Sequence, residues 1–185
     1  MPVLPICTLG DPILREETQV VTTITDDLRT LIADMFETMY AAQGIGLAAP
    51  QVGRRERICV VDVDGAKYAL INPEVLATEG PKAKAEEGCL SIPDIYADVE
   101  RPSKVTVRAL DPSGETIEVT ADGLLGRCFQ HEIDHLHGKL FIDYLSFLKR
   151  RSALAKWDDE KDKYPGNIRI LKPGKPGSEH PEEEL

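Results

Sequence analysis

The sequence predicts an α+β fold in which antiparallel strands and hairpins pack around a central helix that carries an HExxH motif. One helix is expected before the strands, and another is expected at the C-terminal end. Two observations predict this arrangement. Apolar residues recur at helical spacing near residue 35 and near residue 130, and between these regions lie pairs of short, β-rich segments joined by turn residues.

The first helix is predicted at residues 26–43. Thr25 is a suitable N-cap, and Asp26 and Asp27 favour the first turn because the helix dipole attracts acidic residues there. Gly44 can end the helix. A continuous apolar stripe predicts that one face is buried in the core, and it consists of Leu28, Leu31, Ile32, Met35, Phe36, Met39 and Tyr40.

Two hairpins and two further helices are predicted after the first helix. Asp64 and Gly65 form the turn of the first hairpin, and the Asp-Pro-Ser-Gly segment at residues 111–114 forms the turn of the second. The predicted strands are residues 57–63 and 67–71 in the first hairpin and residues 104–110 and 116–120 in the second. The central helix is predicted at residues 122–138, and the last helix at residues 144–156.

Composition indicates one domain, at residues 1–171. The chain has 185 residues, of which 42% are hydrophobic, enough for a single core. The net charge of −10 argues against general nucleic-acid binding, and no apolar run is long enough for a membrane span. Four irregularly spaced cysteines and no recognisable signal peptide favour the cytoplasm. A mobile tail rich in proline, glycine and acidic residues is predicted at residues 172–185.

The motif that indicates chemistry is His131-Glu132-x-x-His135, within QHEIDHLHG at residues 130–138. Histidines four positions apart project from the same face of a helix, so both imidazoles can bind one ion. Neutral imidazole is a good ligand for zinc or ferrous iron. Glu132 points toward the same region, where it can help to activate water for attack on a carbonyl group without being a ligand itself.

A catalytic ion of this kind usually has three protein ligands, so a third ligand is required. The metzincin pattern would place a histidine where this chain has Phe141, and His137 points away around the helix. Cys128 lies near the face of the two histidines, although lining a pocket is the commoner role of a small buried cysteine. Cys89, within EEGCLSIP, follows a glycine that permits close approach of the backbone. Residue spacing alone does not decide whether Cys89 or Cys128 is the third ligand.

Three motifs taken together resemble a known family. GIGLAAPQVG at residues 44–53, EGCLS around Cys89 and QHExDH around His131 occur in the order and at the separations found in peptide deformylases. The similarity covers about residues 4–150. It implies that Cys89, His131 and His135 bind the metal ion.

The resemblance also implies a reaction, namely hydrolysis of the formyl group from N-formylmethionine at the start of a nascent polypeptide. Glu132 is expected to act first as general base and then as general acid. Gln51 and the backbone N–H of Leu90 are expected to stabilise the charge that develops on the formyl oxygen. One divalent ion is expected, Fe²⁺ in the cell, although Zn²⁺, Ni²⁺ or Co²⁺ suits the same ligands in purified protein.

A substrate cleft is expected beside these residues, with GIGLAAPQVG as a tight loop in its wall. The set expected to bind the substrate is Gly44, Ile45, Gly46, Glu87, Gly88 and Cys128. One departure from the family pattern concerns the stretch after the cysteine motif, where some deformylases carry an arginine that holds the substrate backbone. This chain has Tyr96 there and no arginine before Arg101, so contacts with the rest of the peptide stay open.

A basic segment at residues 149–156 contains Lys149, Arg150, Arg151 and Lys156. Such a run is most often a solvated face, but some deformylases bind the ribosome through a basic C-terminal helix, so ribosome contact is a hypothesis for this segment. Two alternative functions also remain at this point. An HExxH metallopeptidase of another type would require a downstream third ligand, and a structural metal-binding domain would require a closed site with four protein ligands.

Overall fold

A five-stranded antiparallel sheet packs against a central helix in the computed structural model, which describes residues 2–172. The helices are α1 (Asp26–Ala41), α2 (Gly123–Leu136) and α3 (Phe147–Glu160). The strands are β1 (Ile6–Cys7), β2 (Gly46–Ala48), β3 (Ile58–Val63), β4 (Ala66–Cys89), β5 (Ile92–Leu110), β6 (Thr116–Asp122) and β7 (Ile168–Arg169). The predicted α+β class is confirmed. The predicted tail lies outside the described residues, apart from Lys172.

Both predicted hairpins are present. Strand β3 pairs with β4 across Asp64 and Gly65, which have positive φ angles of 52° and 84°. Strand β5 pairs with β6 across residues 111–114, where the Asp111 carboxylate accepts a hydrogen bond from the Ser113 backbone N–H at 2.9 Å. The segment of GIGLAAPQVG is not the loop that was expected, because it forms β2 and a short 3-10 helix at Ala49–Val52.

The sheet has the order β2-β3-β4-β5-β6, and its two longest strands lead toward the metal ligands expected from the sequence. Strand β4 has 24 residues, far more than the strand predicted at residues 67–71, and β5 also begins before its predicted start. Residues 81–86 are all exposed, so no alternation of apolar and polar residues marks a strand there. Register shifts, including one between Glu87 and Cys89, bend the β4–β5 pair. The pair ends in a turn at Leu90.

Helix α1 begins as predicted but ends two residues early. The Thr25 hydroxyl accepts a hydrogen bond from the Leu28 backbone N–H at 3.1 Å, which confirms the N-cap. Gln43, rather than Gly44, takes the left-handed conformation that reverses the chain, with a φ of 60°. Gly44 is required for close packing instead, because a Cβ atom at this position would lie 2.7 Å from Leu90 Cδ1.

Helix α2 lies in the core and covers nearly the predicted range, with Asp122 at its N-cap. Phe129 and Leu136 are fully buried and pack in one cluster with residues of β3 and β5. Gly126 permits close packing, because a Cβ atom there would lie 2.6 Å from the Ala121 carbonyl oxygen. This packing holds the helix in place and thereby fixes the direction of the histidines that it carries.

Helix α3 begins later than predicted. Residues Phe141–Tyr144 form a 3-10 helix, and the Ser146 hydroxyl then caps α3 by accepting a hydrogen bond from the Lys149 backbone N–H at 3.4 Å. The predicted start at residue 144 was wrong because the serine cap lies further along the chain. Within residues 2–172, no helix is both long enough and apolar enough to cross a membrane.

The two ends of the described chain meet in a separate two-stranded sheet. Strands β1 and β7 pair antiparallel, with Ile6 opposite Arg169 and Cys7 opposite Ile168. The Thr8 backbone N–H also donates a hydrogen bond to the Asn167 carbonyl oxygen at 2.9 Å. The segment that follows α3 is therefore held against the N-terminal strand.

Candidate active site

Three potential metal ligands, from one strand and one helix, lie close together. Cys89 is the last residue of β4, and His131 and His135 lie one turn apart on α2. The Cys89 Sγ atom is 3.4 Å from His135 Nε2, which in turn is 3.2 Å from His131 Nε2. All three side chains are buried, and their donor atoms lie within 4.8 Å of one another. The fold thus brings Cys89, the candidate from the EGCLS motif, to the two histidines.

The donor atoms fit a divalent ion in tetrahedral geometry. With ion–nitrogen distances of about 2.0–2.1 Å and an ion–sulfur distance of about 2.3 Å, such an ion separates two nitrogens by about 3.3 Å and a nitrogen from a sulfur by about 3.6 Å. The observed separations of 3.2 Å and 3.4 Å are close to these values. Three protein donors leave one coordination position open, which is typical of catalytic rather than structural sites.

The other candidates for the third ligand lie elsewhere. Cys128 is fully buried, and its sulfur lies 3.7 Å from the Ile45 carbonyl oxygen. Among the residues that the structure describes, Cys128 does not belong to the donor group. His137 Nδ1 lies 2.6 Å from Glu17 Oε1 at the surface, so this histidine points away from the site as the helical spacing predicts.

Glu132 is buried without compensation. Its carboxylate is inaccessible to solvent, and neither of its oxygens has a hydrogen-bond partner within residues 2–172. Burial raises the pKa of Glu132 to about 7. Gly46 makes room for this carboxylate, because a Cβ atom there would lie 2.5 Å from Glu132 Oε1 and 2.8 Å from Cys128 Sγ. A glycine at position 46 is therefore needed to leave space for Glu132, in addition to the substrate contact expected of it.

The Gln51 side chain has a defined orientation at the edge of the site. Its Oε1 atom accepts a hydrogen bond from the Ala48 backbone N–H at 2.9 Å, so the amide nitrogen must face the other way. Gln51 Nε2 donates to Ser91 Oγ at 3.2 Å and lies 3.5 Å from Cys89 Sγ. The side chain of Leu90, the residue after Cys89, is fully buried in the core beside α1. Of the two expected oxyanion donors, Gln51 thus contacts Cys89 directly and Leu90 follows it in the chain.

Glu87 lies behind the donor group rather than in a cleft. Its carboxylate is buried and accepts hydrogen bonds from Arg101 Nε at 2.6 Å, Arg127 Nη1 at 2.6 Å and His131 Nδ1 at 2.9 Å. Burial acts to raise the pKa of Glu87, but the hydrogen bonds from His131 and Arg101 hold it well below its usual range. This placement differs from the substrate contact expected of Glu87, because its oxygens are already engaged by these three groups.

The sequence interpretation missed most of this network. Arg101 also donates from Nη1 to Asp134 Oδ2 at 2.9 Å, and Tyr144 Oη donates to the same oxygen at 2.7 Å. Arg101 is therefore committed to two carboxylates and does not replace the substrate-binding arginine that some deformylases carry after the cysteine motif. A signal did exist for Arg127 and Asp134, which lie four positions before and three positions after His131 on α2, and hence on nearly the same helical face.

The remaining residues expected to bind substrate fall into two groups. Gly44 and Ile45 line a cavity of about 330 Å³ together with Tyr40 and Asp62, and none of the proposed metal donors is among its lining residues. Gly88 packs against the ring of Tyr96, because a Cβ atom at Gly88 would lie 2.7 Å from Tyr96 Cε1. Tyr96 therefore occupies the space beside Gly88, in the stretch where the arginine is absent.

The fold and the site define a class of protein, namely a metal-dependent hydrolase in which an HExxH helix supplies two histidines and a neighbouring strand supplies a cysteine. The sequence model of the polypeptide deformylase family matches residues 3–151. The chain belongs to this family.

Relatives with similar sequences support this membership. A peptide deformylase from Hydrogenovibrio crunogenus is 54% identical over 160 residues, which cover 85% of this chain and 94% of that protein. One from Mesorhizobium japonicum is 48% identical over 174 residues, which cover 91% of this chain and 99% of that protein.

Solved structures agree with the sequence relatives. The crystal structure of a peptide deformylase from Legionella pneumophila has a TM-score of 0.84 and 47% identity, covering 88% of this chain and 97% of that one. A peptide deformylase from Synechococcus elongatus in complex with actinonin has a TM-score of 0.82 and 46% identity, covering 85% of this chain and 87% of that one.

Peptide deformylases remove the N-formyl group from nascent peptides, and this chain is a metal-dependent hydrolase of that kind. The family and the activity predicted from the three motifs are confirmed. The two alternative functions, another HExxH metallopeptidase and a structural metal-binding domain, are disfavoured by the same membership.

Proposed function

We propose that the chain hydrolyses N-formylmethionyl peptides with one divalent ion held by Cys89, His131 and His135 and with Glu132 as the group that moves the proton. The observation that carries this proposal is the position of Glu132. Its carboxylate is buried without a partner in the described chain and is adjacent in sequence to a proposed ligand. An uncompensated buried carboxylate costs stability, so its presence beside a donor group supports a chemical role.

Glu132 supplies both proton transfers in this proposal. A bound ion supplies Lewis acidity, which makes water acidic enough to attack at neutral pH and polarises the carbonyl group. Glu132 then accepts the proton of the attacking water and delivers it to the departing amine. A general acid–base group is most effective when its pKa lies near the working pH, and burial raises the pKa of Glu132 toward that range in the metal-free chain.

Gln51 and the backbone N–H of Leu90 supply the oxyanion donors. The Gln51 amide nitrogen faces Cys89 because its oxygen is held by Ala48. A neutral amide can stabilise the charge that develops on the formyl oxygen without adding charge of its own, and one such donor typically lowers the barrier by about 3–4 kcal/mol. Glu87 has a separate role, since its hydrogen bond with Nδ1 orients the His131 ring with Nε2 toward the other donors.

The substrate is proposed to lie along Gly44, Ile45, Gly46 and Gly88, with Cys128 in the wall behind. Gly46 lies against both the Glu132 carboxylate and Cys128 Sγ, which supports an approach of the substrate along the Gly46 strand toward Glu132. A single catalytic domain at residues 1–171 is part of the proposal, because the pairing of β1 with β7 joins its two ends. The cytoplasm is the proposed location, since nascent chains arise there.

Ferrous iron is the ion proposed for the cell. One thiolate and two imidazoles accommodate iron, zinc, cobalt or nickel, so the donor set alone does not select among them. The test is metal analysis of anaerobically purified protein together with its rate of deformylation. Iron in near-stoichiometric amount, with activity lost in air, is the expected result, because a thiolate-ligated ferrous site is prone to oxidation. Full activity in protein that contains only zinc would contradict the assignment.

A ribosome contact is proposed for the basic segment on α3. Lys149, Arg150, Arg151 and Lys156 are exposed, and the exposed side chains of Phe147 and Leu148 lie beside them. Because charges at the rim of an interface mainly affect association rate and salt dependence, the triple variant K149E/R151E/K156E should weaken co-sedimentation with ribosomes at low salt. Its activity on a short formylated peptide should not change. Unchanged co-sedimentation would remove the proposal.

The activity itself is tested by assaying a formylated and an unformylated peptide side by side. Release of formate from the first and no cleavage of the second is the expected result. Cleavage of the unformylated peptide would indicate a metallopeptidase. A chain that releases no formate and unfolds when its metal is removed would indicate a structural site.

A further inference from the structure

The turn between β4 and β5 is held by the terminal two-stranded sheet. Arg169 Nη1 donates a hydrogen bond to the Leu90 carbonyl oxygen at 3.0 Å, and the Leu9 backbone N–H donates to the Ser91 carbonyl oxygen at 2.8 Å. This turn directly follows the proposed ligand Cys89 and carries the proposed oxyanion donor. Its two successive carbonyl groups are therefore bound from outside the β4–β5 pair.

Arg169 reaches the turn through a segment that lies beyond the residues matched by the family model, 3–151. Strand β7 pairs with β1, which sets Arg169 opposite Ile6. Ile168 packs on the small cluster of Cys7, Ile13 and Leu14. Both contacts fix the backbone from which the guanidinium group projects, so the approach of Arg169 to the turn follows from the fold.

We propose that Arg169 is a positioning residue for deformylation: by binding the carbonyl oxygen of the Leu90–Ser91 peptide it restrains the Leu90 backbone, so that the N–H of the preceding Cys89–Leu90 peptide keeps its direction toward the formyl oxygen. The inference rests on the proposed role of that N–H. The Leu90 side chain is already fixed in the core, where it is fully buried. Binding its carbonyl oxygen at a second point restricts rotation about the backbone bonds of Leu90. Stabilisation of an oxyanion depends on the distance and direction of the donor, so a small rotation of the Cys89–Leu90 peptide, which carries this N–H, lowers the rate.

The test compares Arg169→Met with Arg169→Lys in Ni²⁺-loaded enzyme, using an N-formylmethionyl tripeptide and rates normalised to bound metal. Methionine keeps most of the apolar stem and removes the donor, whereas lysine keeps one charged donor. Arg169→Met should lower kcat about tenfold while KM changes less than twofold. Arg169→Lys should recover most of this loss. Arg108→Met, in an exposed part of β5, is the matched control and should leave both constants unchanged.

A second variant separates positioning from simple loss of the terminal sheet. Ile168→Ala removes part of the packing of β7 but keeps the guanidinium group and the pairing with β1 that sets Arg169 opposite Ile6, so it should lower the melting temperature and leave kcat at 25 °C within twofold. The proposal is overturned if Arg169→Met keeps its kcat per bound metal, or if Ile168→Ala loses as much activity as Arg169→Met does. A failure of the proposed function is distinguishable, because the unsubstituted enzyme would then release no formate.

Discussion

Glu87 and Glu132 are two buried carboxylates, one bonded to His131 and the other next to it in sequence, and their surroundings differ. Glu87 accepts hydrogen bonds from two arginines and from His131. Glu132 has no hydrogen-bond partner among residues 2–172, although it is buried as completely. Since burying a charge is costly unless it is paired, the compensated carboxylate has a structural explanation and the uncompensated one does not.

In the proposed mechanism, this difference lets one residue type serve two purposes in one site. Hydrogen bonds to Glu87 favour its charged form, which suits a group that must hold an imidazole in one orientation. Burial of Glu132 favours its protonated form, which suits a group that must both accept and release a proton near neutral pH. The environment, rather than the identity of the side chain, separates the two roles.

The largest effect is expected at Cys89, the proposed metal ligand near which both carboxylates would act. Cys89→Ser should lose most of the metal and with it nearly all activity, because a neutral hydroxyl replaces the thiolate. Cys128→Ala should keep about one metal ion per chain. Metal stoichiometry after gel filtration measures both variants. A full site in Cys89→Ser and an empty one in Cys128→Ala would reverse the assignment.

A smaller loss of activity is expected when a proposed oxyanion donor is removed. Gln51→Leu should lower kcat by about 10²–10³ with metal retained, because an amide donor is lost while Glu132 and Glu87 keep their surroundings. Gln19→Leu, at an exposed position, should change kcat less than twofold. Steady-state kinetics on a formylated peptide distinguishes the two variants. A Gln51→Leu enzyme with native kcat would remove Gln51 from the reaction.

Amide substitutions test the comparison of the two carboxylates directly. Glu87→Gln should lower the free energy of unfolding by about 3–5 kcal/mol, because two buried guanidinium groups lose the charge that pairs with them. Metal affinity should also fall by about 10–100-fold. Glu132→Gln should cost less than about 1 kcal/mol, since no hydrogen bond is broken. The measurement is urea unfolding of the proteins after a chelator has removed their metal. Equal losses of unfolding free energy in the two variants would contradict the distinction between the two carboxylates.

The smallest predicted effect concerns the room that Gly46 leaves for Glu132. A Cβ atom at this position would lie 2.5 Å from Glu132 Oε1, so Gly46→Ala must displace the carboxylate or the strand. A displacement of this size should lower kcat by about tenfold while metal content stays near one per chain. Ala85→Val, which adds bulk at an exposed position of β4, is the control and should retain its rate. A native rate in Gly46→Ala would show that Glu132 tolerates the added methyl group.

Local patterns predicted the parts of the structure that depend on local physics. The Thr25 cap and the burial of the apolar stripe of α1 follow from capping and helical periodicity, except that Tyr40, at the end of the stripe, is 40% exposed. The HExxH spacing likewise predicted that His131 and His135 share a face of α2, and their Nε2 atoms are 3.2 Å apart. These features require only neighbouring residues, so a single sequence contains the information.

Features that depend on distant pairing were harder to predict. Cys89 reaches the histidines only because β4 extends through the exposed residues 81–86, which lack a strand pattern. Its assignment came from the resemblance of the motifs and not from spacing. The partners of Glu87 are equally remote, since Arg101 and Arg127 lie on different elements and meet only in the folded chain. Residue 87 alone could not reveal whether its carboxylate faced a substrate or two buried arginines.

The most direct measurement of the central claim is metal stoichiometry beside single-turnover deformylation in one preparation of Glu132→Ala. Metal content should stay near one per chain, and the rate should fall by about 10²–10⁴, the usual scale for losing a general acid–base group. Glu132→Asp should recover little of this loss because its shorter side chain displaces the carboxylate. Glu86→Ala, at an exposed position close to the cysteine motif, should react at the native rate. Loss of the metal in Glu132→Ala would indicate a ligand or structural role, and a fully active Glu132→Ala enzyme would show that another group moves the proton.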